Sequence, residues 1–295
     1  MQAVYGLAGE HRLPEMILPW LPGYEGSAPV RIGNAARTQL QLDVYGEALD
    51  TFYVARRIGL TPSPEGWAMA QTLLAHLEEI WREPDEGIWE VRGPRRHFVH
   101  SKLMVWVAFD RAVRTVEEFG LGGPVEHWRK VRSEVFAEIC AQGFDPVLGS
   151  FVQSYGSRAV DASLLLLPLM GFLPPDDPRI LGTVAAIERE LMADGGLLLR
   201  YRPDASVEGV PPTEEGAFLA CTAWLGEVYA LQGRREEALA VLDRLVGLAN
   251  DVGLLAEEYD PKLRRQVGNF PQAFSHLALV GLFLALSEEA ASVRS

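Results

Sequence analysis

Apolar residues recur at three- and four-residue spacings along most of the chain, so the pattern predicts helices almost throughout. The stretch NAARTQLQLDVYGEALDTFYVARRIGL (34–60) is one helical segment, and after Pro62 and Pro64 the next is EGWAMAQTLLAHLEEIWRE (65–83). HSKLMVWVAFDRAVRTVEEFG (100–120) precedes PVEHWRKVRSEVFAEICAQGF (124–144), and SRAVDASLLLLPLMGF (157–172) precedes DPRILGTVAAIERELM (177–192). That last segment opens with an aspartate cap and a first-turn proline. EEGAFLACTAWLGEVYALQG (214–233) and REEALAVLDRLVGLAND (235–251) form a further pair, and FPQAFSHLALVGLFLALSEEAA (270–291) is left alone. No strands are expected.

The short links within each pair favour antiparallel neighbours. Helices starting near 157, 214 and 270 are apolar nearly all round, as an inner layer requires. Those near 124 and 235 are amphipathic, as an outer layer requires. Two concentric layers of paired helices make an all-α toroid. The loops entering the inner helices are long and rich in aromatic and charged residues: 22–34, 84–102, 147–157, 197–216 and 254–272. The links inside the pairs, such as GLGG (120–123), are short and bland. Function is expected on the decorated rim.

Composition narrows the choice of ligand. With 27 basic against 40 acidic residues the formal charge is −13, which disfavours nucleic acid and anionic lipid as partners. The basic cluster RGPRRH (92–97) reads as a solvated loop. Cys140 and Cys221 lie in apolar helical patterns and read as small core residues, not a disulfide. The longest apolar run (162–173) is short for a bilayer and interrupted by Pro168 and Gly171, and no signal-peptide pattern opens the chain. A soluble, reducing and so cytoplasmic setting is expected. No CxxC or HExxH spacing occurs, so no metal or other cofactor is called for.

Two rim loops carry an aromatic-flanked carboxylate: IWEVR, with Glu90, and LLAEEYD, with Glu257 and Glu258. Glycosidic hydrolysis needs one protonated carboxyl and one ionised carboxyl, and an aromatic neighbour helps the first by desolvating it. For any single loop glutamate the default is nevertheless a solvated surface charge.

The strings LPGYEGSAPVRIGNAARTQLQLDVYGE, PDEGIWEVRGPRRHFVHSKLMVWVAFDRA, FVQSYGSRAVDASLLLLPLMGF, NDVGLLAEEYDP and VGNFPQAFSHLALV resemble glycoside hydrolase family 15, the glucoamylase and trehalase family, over residues 4 to 285. The resemblance implies an (α/α)6 toroid, the six-hairpin glycosidase type, and inversion at the cleaved carbon. It implies Glu90, after Trp89, as general acid and Glu257 as general base, with Glu258 secondary, where relatives often carry glutamine. An inverting pair would stand ~6.5–9.5 Å apart. His100 and Lys102 are candidate sugar contacts or, equally, caps of the following helix or partners of nearby acids. Arg200 is a candidate sugar-contacting arginine or half of a structural salt bridge. Trp20 and Tyr24 either stack on a sugar or pack under their loop. His276 reads as a satisfied core histidine, and Asp43 as a residue that hydrogen-bonds neighbouring loops.

The same resemblance implies an N-terminal β-rich domain and a WLRDA-type segment lining the innermost sugar site, and no WLRD-like string occurs. Residues 1–295 are therefore expected to be a partial toroidal catalytic domain, with about nine of twelve helices. An open toroid of this kind favours self-association or a complementing chain. The leading expectation is an inverting exo-acting α-glucosidase that releases glucose from trehalose, a maltooligosaccharide or an α-glucan. The rival is an inactive or sugar-binding-only barrel fragment, and a helical-repeat scaffold ranks last.

Overall fold

The computed structural model describes residues 1–60, 63–202 and 215–287. Pro62, the middle of the 197–216 loop, Glu214 and the last four positions of the 270–291 segment lie outside the described residues. The chain divides into two compact units, Met1–Val135 and the residues from Phe136 onward.

In the first unit a short antiparallel pair, β1 (Met16–Ile17) and β2 (Arg31–Ile32), precedes helices α1 (Asp43–Arg57), α2 (Pro64–Ile80), α3 (Val99–Phe119) and α4 (Val125–Gln142), within which the division falls. Ser63 caps α2, its Oγ accepting from Gly66 N at 3.2 Å, with Pro64 at the first turn. α1 and α3 approach closely at Gly46, where a Cβ would meet the Met104 carbonyl oxygen at 2.3 Å. This allows α3 to bury almost every side chain from Val99 to Val113, including Asp110 and Arg111. Asp110 is compensated by Arg111, Arg114 and Arg132 at 2.7, 2.8 and 2.9 Å.

The segment expected to be helical from residue 34 becomes regular α-helix only at Asp43. Asn34 instead caps one 3-10 turn, Ala35–Thr38, and the following backbone bonds elsewhere. Leu40 N donates to Glu86 Oε2 (2.8 Å) and Leu42 N to Asp85 Oδ2 (3.0 Å). Side chains of the 84–98 loop have taken the donors that a helix would have used.

The second unit opens with the hairpin β3 (Phe144–Asp145) and β4 (Ser150–Phe151). The 157–172 segment is helical only as a 3-10 turn, Ala162–Leu165, running into α5 (Leu166–Leu169). Its first part is held extended, because Asp161 bridges to Tyr201 and Ala162 N donates to Arg200 O at 2.8 Å. α6 (Pro178–Leu191) has the expected cap, Asp177 Oδ1 accepting from Arg179 N at 2.9 Å. After the pair β5 (Met192–Ala193) and β6 (Leu197–Leu198), a sheet of β7 (Ala217–Phe218), β8 (Glu258–Asp260) and β9 (Arg265–Val267) is interleaved with α7 (Leu219–Leu231), α8 (Arg235–Leu248) and α9 (Ala273–Leu286). These strands were not expected. They are two or three residues long, too short to leave an alternating pattern in the sequence.

α7 is buried from Leu219 to Tyr229, as an inner helix should be. α9 packs on α7 and α8, with Ala278, Leu282 and Leu286 buried. It departs from expectation in not being buried all round: Leu277 is 69% exposed, and Val280, Phe283 and Leu284 are exposed beside it. Of the two cysteines, both free, Cys221 is buried as expected and Cys140 is half-buried, with Arg179 Nη1 at 3.4 Å from its sulfur. Among the described residues no helix is long and apolar enough to cross a membrane.

Candidate active site

Glu90 sits in a loop of the first unit that is tied at both ends. Asp85 and Arg96 exchange backbone hydrogen bonds at 3.0 Å each, closing the loop's base. Glu86 N donates to Leu40 O, and Val91 N to Glu86 O. Gln39 Nε2 donates to the carbonyls of Glu90 and Val91, at 3.2 Å each. Within this frame Glu90 has φ 53°, a left-handed conformation that costs a non-glycine residue about 1–3 kcal/mol. Such strain persists only where its surroundings enforce it. Gly87 also has positive φ, and a Cβ there would meet the Phe98 ring at 2.7 Å. Glu90 is half-buried, whereas Trp89 is only 8% exposed, so its ring lies in the core and offers no open face for stacking.

The arginines of the basic cluster are largely tied to acids. Arg92 bonds Glu15 at 3.0 Å and Arg95 bonds Glu86 at 3.0 Å. Trp20 and Tyr24 are 72% and 76% exposed, which removes the reading that they pack under their loop.

Lys102 is buried and donates to the Trp81 carbonyl and, at 3.4 Å, to Glu83 O. It therefore serves the end of α2, the helix before its own, a role not among those expected for it. His100 is 2% exposed, with Nδ1 3.9 Å from Asp43 Oδ2, and neither ring nitrogen has a hydrogen-bond partner among the described residues. The ring thus lies near an acid without pairing with it, and its burial leaves no open sugar contact. Burial pushes the His100 imidazole down to about 3, and burial followed by the Asp85 charge pushes the Asp43 carboxyl up to about 8. Near neutrality both are uncharged. Asp43 Oδ1 accepts from its neighbour Val44 N (3.1 Å), and the loop-binding role expected of it is filled by Asp85.

In the second unit Glu258 opens β8 and Glu257 immediately precedes it. Glu257 Oε2 accepts from Asn269 N (3.2 Å) and Asn269 Nδ2 (3.0 Å). Glu258 Oε2 accepts from Gly216 N (2.9 Å), and Glu258 lines a cavity of about 660 Å³ with Tyr201, Glu215 and Asp260. Burial and then the Glu215 charge push Glu258 up to about 7. Arg200 is gripped at two points by Glu215, Nε–Oε2 at 2.8 Å and Nη2–Oε1, over the rings of Tyr201 (4.7 Å) and Phe218 (5.8 Å). The salt bridge is thus the arrangement found for Arg200. His276 Nε2 accepts from Leu255 N at 3.1 Å, so it is satisfied as expected, though half-buried.

Sequence reading missed Glu215, Asp85, Glu86 and Gln39 as parts of this machinery. One available signal was charge parity: an arginine beside an apolar LLL run needs an acid, and Glu215 is near in sequence.

Comparison with known proteins gives the class first. A glycosidase solved in complex with glucose superposes with TM-score 0.73 at 24% identity, covering 90% of this chain and 74% of that one. A bacterial glucoamylase complexed with acarbose superposes with TM-score 0.65 at 14% identity, covering 91% and 44%. These likenesses support the fold class read from the sequence, the all-α (α/α)6 glycosidase type. The profile of the glycosyl hydrolases family 15 matches residues 1–284, and the chain belongs to that family. Among curated relatives, the trehalase of Mycobacterium tuberculosis is 44% identical over 280 residues (95% of this chain, 41% of that protein). The trehalase of Thermoplasma acidophilum is 42% identical over 266 residues (90% and 45%). The chain spans less than half the length of these trehalases.

Proposed function

We propose that the chain acts in inverting hydrolysis of terminal α-glucosidic bonds, with trehalose as substrate. Glu90 in its acid form protonates the glycosidic oxygen. Glu257 as carboxylate takes a proton from water, whose oxygen attacks the anomeric carbon from the opposite face. The carbon–oxygen bond to the leaving sugar breaks, and the attacked unit departs as β-glucose. The observation that carries this reading is Glu90 itself, half-buried after the buried Trp89 with a left-handed backbone, in a loop held by hydrogen bonds from Gln39. Support for trehalose comes from relatives at 42–44% identity that bear that name. The shared use of a terminal α-glucosyl unit keeps maltooligosaccharides and α-glucan as comparison substrates.

The test is glucose release from trehalose, maltose and soluble starch by the purified chain, with the first-formed anomer read by proton NMR. β-Glucose from trehalose, lost in Glu90→Gln, is the expected result, and α-glucose as first product overturns inversion. Sugar binding without release at any pH supports the second reading, a binding-only barrel.

A further inference from the structure

The direction in which a side chain leaves the backbone is set once the peptide planes on both sides of its Cα are fixed. Both planes around Glu90 are held. On one side Glu90 N donates to Gly87 O at 3.1 Å. On the other, Val91 N donates to Glu86 O at 3.3 Å, and the Glu90 carbonyl accepts from Gln39 Nε2 at 3.2 Å. Gln39 Nε2 also donates to the Val91 carbonyl at 3.2 Å, so one amide group, which carries two N–H donors, serves two carbonyls. Gln39 is itself anchored, its backbone N–H bonded to Ala36 O at 2.9 Å at the end of the 3-10 turn. Its Oε1 accepts from Nε2 of Gln41, a residue only 8% exposed, at 3.0 Å. This last bond decides which way the Gln39 amide faces. Turned over, the amide would set its oxygen against two carbonyl oxygens and its nitrogen against the nitrogen of Gln41.

We propose that Gln39 and Gln41 form a positioning relay for the reaction: Gln41 orients the Gln39 amide, and Gln39 holds the left-handed backbone that directs the Glu90 carboxyl at the glycosidic oxygen. This rests on the reading of Glu90 as proton donor. Neither glutamine gives or takes a proton in this role, so their influence is confined to the step that needs protonation. A leaving group that departs as a stable anion does not need it. The relay therefore matters for trehalose and not for α-glucosyl fluoride.

The test compares the purified chain with Gln39→Met and Gln41→Met, which keep side-chain length and lose the donors, in hydrolysis of trehalose and of α-glucosyl fluoride. In Gln39→Met, kcat for trehalose is expected to fall ~10–10²-fold with KM nearly unchanged, as for a misplaced catalytic group. Fluoride release stays within ~threefold of the parent. Gln41→Met shows the same selective loss at ~3–10-fold, because the bonds to the loop remain but the amide is no longer locked. Adding Gln39→Met to Glu90→Gln costs nothing more on trehalose. Should Gln39→Met not fold, Gln41→Met carries the comparison. A loss shared equally by both substrates makes the glutamines scaffold alone and overturns the proposal. An undiminished trehalose rate, or a further loss in the double variant, overturns it too. Crystal structures of the parent and variant chains add a readout without turnover: Glu90 leaving its left-handed conformation in the variant supports the relay, and an unchanged φ overturns it. A parent that cleaves neither substrate defeats the hydrolase reading, and the structures then decide the relay on their own.

Discussion

The acid loop of the first unit and the β8 strand of the second both present glutamates, but by opposite devices. Glu90 is aimed by a strained backbone that Gln39, Asp85 and Glu86 hold in place through side-chain hydrogen bonds. Glu258 lies in extended backbone paired on both sides, and Glu257, just before it, is held by backbone hydrogen bonds to Asn269 and from Leu219. A strained loop yields one carboxyl in one direction at an energetic cost. The start of a strand presents two neighbouring carboxyls with no such strain. The first arrangement depends on its supporting side chains, the second on its ladder.

The largest expected effect cuts the two devices at their tips. Glu90→Gln and Glu257→Gln each lower trehalose hydrolysis by ~10²–10⁴-fold, while Glu258→Gln stays within about tenfold of the parent near neutrality. Steady-state kinetics at matched folded fractions checks this, and a Glu258→Gln loss equal to that of Glu257→Gln reverses the assignment on β8.

Next comes the scaffold of the acid loop. Asp85→Ala strands Leu42 N in a buried site and costs about 1–3 kcal/mol, seen as a lowered urea midpoint together with reduced turnover. Smaller again is the strain itself. Glu90→Ala and Glu90→Gly both remove the side chain, yet the glycine variant should be more stable by ~1 kcal/mol. Equal stabilities would show that the left-handed backbone carries no strain.

A pH dependence of stability is expected in the first unit as well. Asp43, Glu47 and Asp85 are raised to about 8, 7 and 6, with burial the leading cause for each. Carboxyls whose folded values are raised contribute stability that is complete below their ordinary range, near pH 4, and is lost as pH rises through those values. His100, lowered to about 3, works the other way: its contribution is complete above about 6.5 and is lost as pH falls towards 3. Asp43→Asn should therefore raise the Tm at pH 8 to 9 and leave it unchanged near pH 4. A Tm gain of the same size at both ends would remove Asp43 ionisation as the cause.

Much of this molecule is legible in its sequence where periodicity is long. α2, α3, α4, α6, α7 and α8 begin within about five residues of their expected starts, because each carries several turns of uninterrupted pattern. The segments at 34–42 and 157–161 were not legible, since their apolar spacing is helical but distant partners, Asp85 and Tyr201, claim their backbone. Similar logic divides the site residues. Glu90, Glu257 and Glu258 stand out through long motifs, whereas the burial of His100 and Lys102 follows from the close crossing of α1 and α3 at Gly46 and no local pattern announces it.

Strand β8 has one further consequence. It joins β9 through the short turn Pro261–Arg264, and its register sets Glu258 opposite Val267. Inserting or deleting a single residue there would slide the pairing of β9 on β8 by one step and change what stands opposite Glu258. Length in that turn should therefore be far less tolerant of change than its composition.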